Sequence, residues 1–150
     1  MDRLHSLISG RQDFIYETTL SSHQSIKLLK QAREAGYSTL LVFVALASAE
    51  LHILRVAQRV SLGGHHIPEV AIRRRYLTSF ENLSRAIPLC HHVVIFDNSS
   101  AEGVRRVLDI TEGAVAANNL KPGNGFDARI ADIVAPALEI SASELFRPRR

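Results

Sequence analysis

Two hydrophobic periods alternate along the chain. Gln24–Ala35 places Ile26, Leu28, Leu29 and Ala32 on one helical face, with Ser21 or Ser22 to cap it and Gly36 to stop it. Thr39–Leu46 is apolar at nearly every position, the pattern of a central parallel strand buried on both faces. Ser48 predicts a capped helix from Ala49 to about Ser61, and Pro68 is placed as the first-turn proline of a long helix through about Ala86. Val93–Phe96 predicts a buried strand ending in Asp97-Asn98-Ser99, and a helix is expected over about Ala101–Ile110. Ahead of these, Asp2–Ser9 reads as a helix stopped by Gly10, and Phe14-Ile15-Tyr16 as a short strand running into Glu17-Thr18-Thr19.

Alternating strands and amphipathic helices predict an α/β fold, a three-layer parallel sheet with flanking helices. Residues 1–117 are expected to form the main domain, and the turn-rich Asn118–Gly125 a linker. Residues 126–150 are expected as a weakly ordered helical tail broken at Pro136, with a frayed Arg-Pro-Arg-Arg end.

Composition narrows the class. A chain of 150 residues with 46% apolar and 22% charged residues is that of an ordinary globular domain. The longest apolar run, Thr39–Ala49, is too short for a membrane span, and no signal peptide is evident. Cys90 is the only cysteine, which rules out an internal disulfide and suits a reducing cytoplasm. The net charge of +3 comes from 18 basic and 15 acidic residues, and arginine dominates the basic set. The basic groups gather near residues 55–75 and at the C-terminus. With no aromatic-interleaved stripe, nucleic-acid binding is disfavoured.

The densest chemistry lies in Arg55–Tyr76, where five arginines flank Gly63-Gly64-His65-His66 between two helices. Arginine forks suit phosphate oxygens, and glycines between helices suit a hinged lid. Arg73, Arg74 and Arg75 point about 100° apart, so at most two can reach one ligand. The third should be solvated or paired with Glu69 or Glu81. Glu17 and Thr19 stand at a predicted strand end, the edge where open α/β sheets bind ligands. The plainer alternative pairs Glu17 with an arginine. Asn98 could touch nucleotide, although Asp97-Asn98-Ser99 reads more simply as a cap for the next helix. The pairs His65–His66 and His91–His92 lack the separated third and fourth ligands of a metal site, so no metal site is expected. Cys90 has no evident base partner and is expected to be an inert buried thiol.

Taken together, Phe14–Ser21, Ala35-Gly36-Tyr37, Leu41-Val42-Phe43, Arg55–Val60, Gly63–Glu69, Ile72–Tyr76, Glu81-Asn82-Leu83 and Phe96–Ser99 resemble the zeta-toxin-like family of P-loop kinases, in its short bacterial branch. The resemblance covers roughly residues 1–100 and implies transfer of the ATP γ-phosphate, with Mg2+, to a hydroxyl. In the toxins of this family the acceptor is a UDP-activated amino sugar, and an antitoxin protein is a possible partner. By position, Glu17 and Thr19 resemble the substrate-binding pair, Arg59 the first lid arginine, and Arg74 or Arg75 the second.

The chain departs from the family in one respect. It contains no Gly-Lys dipeptide and so no Gly-x-x-x-x-Gly-Lys-Ser/Thr loop. The family's phosphate loop, its catalytic aspartate and its first two strands lie upstream of the region matched by Met1. The expectation is therefore a truncated or split homologue, inactive alone. The alternative is a non-catalytic module that binds a nucleotide sugar or a protein.

Overall fold

The computed structural model describes residues 2–147; the expected fraying of the last arginines falls largely outside that range. The chain forms an α/β fold: α1 (Asp2–Ser9), α2 (His23–Glu34), β1 (Leu40–Ala45), α3 (Ala49–Ser61), α4 (Glu69–Ala86), β2 (His92–Asp97), β3 (Arg105–Thr111), β4 (Ala114–Asn118) and α5 (Gly125–Ala137), with short 3-10 turns at Ile87–Leu89 and Ala142–Phe146.

Local chemistry explains several helix ends, although Ser22, at the N-cap of α2, makes no side-chain cap bond. Tyr37 N–H donates to the Ala32 carbonyl and Gly36 N–H to the Arg33 carbonyl, with Gly36 at φ 83°. That double bond around a left-handed glycine closes α2. Leu51 N–H donates to Ser48 Oγ at 3.3 Å to open α3. Pro68 stands at the N-cap of α4, one position before the first turn where the sequence placed it.

The sheet is mixed rather than parallel throughout, in the order β1-β2-β3-β4. β1 and β2 are parallel, with Phe43 beside Ile95, whereas β3 and β4 are each antiparallel to the preceding strand. Three expectations are corrected here. Phe14–Tyr16 forms no strand; Ile15 is 94% exposed, so the segment has no sheet to bury against. β1 is an edge strand rather than a central one, and Leu40, Val42 and Val44 on its outer face are each more than half exposed. The helix expected over Ala101–Ile110 is instead the first strand of a hairpin. Glu112 and Gly113, at φ 48° and 73°, make the two-residue turn. Positive φ at both positions matches the twist of antiparallel strands.

The core forms on one face of this sheet. Leu83 of α4, Ile95 of β2, Leu108 of β3, and Ile130 and Val134 of α5 are all fully buried in one cluster. Each such side chain contributes roughly 1.5–3 kcal/mol relative to exposure. The C-terminal segment is therefore core rather than a weakly ordered tail, and α5 runs through Pro136 to Ala137. The turn-rich stretch is shorter than expected, because β4 extends to Asn118 and α5 starts at Gly125. No helix among the described residues is long and apolar enough to cross a membrane.

Candidate functional site

A cleft of about 1130 Å3 opens beside β1. The Asp13–Leu20 segment, β1, α3 through His52 and Val56, and α4 through Ile72, Arg75, Tyr76 and Ser79 line it. Glu17, Thr19 and Arg75 thus share one concavity, although Arg75 is 56 or more positions from the other two in the chain.

The Glu17–Ser21 loop is held internally. Leu20 N–H donates to Thr18 Oγ1 at 3.1 Å, and the Thr18 hydroxyl lies 2.9 Å from that of Ser25. The Thr19 and Ser21 hydroxyls are 2.7 Å apart. Glu17 is exposed and has no ion-pair partner among the described residues.

The lid arginines divide. Arg73 pairs with Glu50 of α3, not with Glu69 or Glu81. That hydrogen bond draws the Glu50 carboxyl below its usual range. Arg74 is exposed and does not line the cleft, whereas Arg75 does. Arg59 folds back on the hinge, its Nη2 donating to the His65 carbonyl at 3.2 Å. Gly63 at φ 89° and Gly64 close α3 through bonds to the Val60 and Arg59 carbonyls at 2.9 and 2.8 Å. A Cβ on Gly64 would stand 2.7 Å from the Arg59 carbonyl oxygen, so the turn requires glycine there.

Asn98 lies outside the cleft lining; its carbonyl accepts from Arg55 Nη2 at 2.6 Å, and its N–H donates to the Ala45 carbonyl. Asp97 caps a turn, not a helix, accepting from Ser99 N–H at 3.0 Å. It also accepts from Arg105, which forms a paired contact with the fully buried Asp127 at the start of α5.

Sequence reasoning missed several residues around the cleft. His52 lines it and meets Tyr76 edge to face at 5.5 Å. Burial, then the nearby Arg55, pulls the His52 imidazole below its ordinary value. The Tyr76 hydroxyl donates to the Ala47 carbonyl at 2.8 Å and accepts from Arg129 at 3.0 Å. Arg129 also stacks over Phe80, 4.3 Å from its centroid. His52 lies four positions before Val56, on the same face of α3, and that spacing is its local hint; nothing local marks Arg129.

No group of three or more His, Cys, Asp or Glu side chains among the described residues could hold a metal ion. His91 and His92 make structural hydrogen bonds. His91 Nδ1 accepts from Thr39 N–H at 3.0 Å, and His92 Nδ1 lies 3.3 Å from the Thr111 hydroxyl. Cys90 is buried, which pushes its thiol up to about 11.

Among known proteins, the family model described as "Zeta toxin" matches residues 2–112. An uncharacterized protein of Haemophilus influenzae is 33% identical over 72 residues, which is 48% of this chain and 51% of that protein. The chain therefore spans about half the length of this curated relative. No solved structure matches.

Proposed function

The chain belongs to the zeta toxin family, and from that premise we propose that it is the substrate-and-lid portion of an ATP-dependent phosphotransferase acting on a hydroxyl of a UDP-amino sugar. The observation that carries the reading is the single cleft lined by Glu17, Thr19 and Arg75. In this reading the Glu17 carboxylate and Thr19 hydroxyl hydrogen-bond the acceptor's hydroxyl groups. Arg75 meets the phosphoryl group as it passes from ATP to the acceptor oxygen. The bond to ADP breaks, a new P–O bond forms and the acceptor hydroxyl proton passes to the catalytic aspartate of the phosphate-loop segment. Such transfer depends chiefly on positioning and charge neutralisation. Arg59, on α3, joins only after a hinge movement at Gly63-Gly64, because the His65 carbonyl holds it. Arg74 faces solvent on the same helix as Arg75 and is given no role in this reading. The described residues do not fit Mg2+, having no metal-ligating cluster, so no step is assigned to it. ATP, Mg2+ and the catalytic aspartate are assigned to a segment carrying the phosphate loop and lying along the open edge of β1. An antitoxin would then act on the completed enzyme.

The test supplies a segment with a Gly-x-x-x-x-Gly-Lys-Ser/Thr loop and two strands, fused or in trans. ATP-dependent phosphorylation of UDP-N-acetylglucosamine should appear, and Arg75→Ala should lower it by about 100-fold. Turnover by the 150-residue chain without that segment would overturn the reading.

A second reading, a non-catalytic nucleotide-sugar-binding or protein-binding module, is favoured by one observation. β4 and α5 extend the buried core beyond the matched region. Titration of the chain separates the two readings: nucleotide-sugar binding without ATP binding, together with no activity in the completed form, selects the module.

A further inference from the structure

Asn82 is an expensive residue where it stands. It lies on α4, is 1% exposed, and its Oδ1 has no partner among the described residues. A buried amide with one group unsatisfied lowers stability relative to an apolar side chain of the same size. Its one hydrogen bond, from Nδ2 to the Leu20 carbonyl at 2.8 Å, crosses 62 positions to the loop that carries Glu17 and Thr19. Leu20 is itself unusual. It is a buried leucine at φ 55°, in the left-handed region that branched side chains avoid. Strained backbone persists only where its surroundings over-determine it, and it collects at working sites. Here Thr18 holds the Leu20 N–H and Asn82 holds its carbonyl, so both polar ends of the strained residue are clamped. The helix that supplies the clamp also carries Arg75 and Tyr76 into the cleft.

We propose that Asn82 is a positioning residue that latches the Glu17–Ser21 loop to α4, fixing the spacing between the acceptor-binding side chains and Arg75. The assignment of that loop to an acceptor rests on the reading proposed above; the latch itself does not. Any movement of α4 with the hinge then carries the loop along with it. The acceptor pocket and the lid arginine travel as one body.

The test uses the 150-residue chain with Asn82→Leu and Asn82→Asp, amide hydrogen exchange, and titration with UDP-N-acetylglucosamine. Asn82→Leu keeps the volume but removes the donor. Exchange at Leu20 should accelerate by about tenfold, while the core amides of Leu83 and Ile95 keep their wild-type rates. Sugar affinity should weaken by a similar factor. The carboxyl introduced by Asn82→Asp can donate only while protonated. Burial favours the protonated carboxyl, so Leu20 protection should be near wild type at about pH 5 and lost at about pH 8, while Leu83 and Ile95 keep their protection at both; loss at all three together would mark global destabilisation instead. Unchanged Leu20 exchange in Asn82→Leu, or equal acceleration of every amide, overturns the latch. Faster Leu20 exchange with undiminished sugar affinity overturns the positioning role. If the wild-type chain takes no nucleotide sugar, the acceptor reading fails, and the Leu20 exchange and its pH rescue still decide the latch.

Discussion

At the residue scale, Arg129 ties the C-terminal helix to the cleft. Its guanidinium stacks on Phe80 and Tyr76 and donates to the Tyr76 hydroxyl. Arg129→Ala should lower unfolding stability by roughly 1–3 kcal/mol, from lost cation–π contact and a lost hydrogen bond. Arg129→Lys should restore only part of this, since the ammonium cannot stack as a plane. Urea unfolding of the three proteins measures both. Cys90 offers a pH test. Burial raises its thiol from 9.0 to about 11. A raised acid stays protonated in the folded chain while the unfolded chain releases its proton. Its contribution is complete below about pH 9 and is lost as pH rises toward 11. Stability should therefore fall across that window, and Cys90→Ala should flatten the fall. Alkylation of Cys90 at neutral pH should proceed only as fast as the chain opens.

At the element scale, the hinge between α3 and α4 depends on glycine for two different reasons. Gly63 adopts a left-handed φ, whereas at Gly64 there is no room beside Arg59. Gly64→Ala would place its methyl 2.5 Å from Arg59 Cγ and 2.7 Å from its carbonyl oxygen. Backbone must shift, so the change should destabilise by more than about 1 kcal/mol. It should also release Arg59 from His65. Leu62→Ala, at a position 88% exposed, is the matched control and should be nearly neutral. Thermal unfolding of both variants checks the contrast; equal effects would remove the steric argument.

At the scale of the whole molecule, one side of the sheet is closed and the other is open. β3, β4 and α5 finish the core beyond β2, but β1 leaves its outer edge unpaired with Leu40, Val42 and Val44 exposed. An apolar edge strand with no charge, proline or bulge invites pairing with another chain. The protein should associate with itself as its concentration rises, in sedimentation or light scattering. Val42→Lys should suppress that association and leave the unfolding free energy from urea titration within about 0.5 kcal/mol of wild type. Unchanged association in Val42→Lys would show that the edge is not the contact.

Local chemistry written in the sequence determined α1, α2, α3, α4 and the strand at Val93–Phe96. A cap, a glycine stop or an apolar stripe lies within a few residues of each, and such signals act at short range. The arginine-flanked Gly63-Gly64 turn was legible for the same reason, as was the family itself. Strand neighbours were not. Phe14-Ile15-Tyr16 has strand composition, but a strand exists only when another strand supplies its hydrogen bonds, and none does. Arg105–Thr111 reads nearly as well as a helix, and the ladders to β2 and β4 decided it, with the Glu112-Gly113 turn as the overlooked local sign. The same holds for the candidate site. Residue types named Glu17, Thr19 and the arginines, but only packing placed Arg75 in the cleft, Arg74 in solvent and Arg73 on Glu50. Helix periodicity sets the direction of a side chain relative to its own axis, whereas what it meets depends on elements distant in the chain. Asn82, Arg129 and Asp127 matter through partners 22 to 62 positions away, and those distances close only when the core forms.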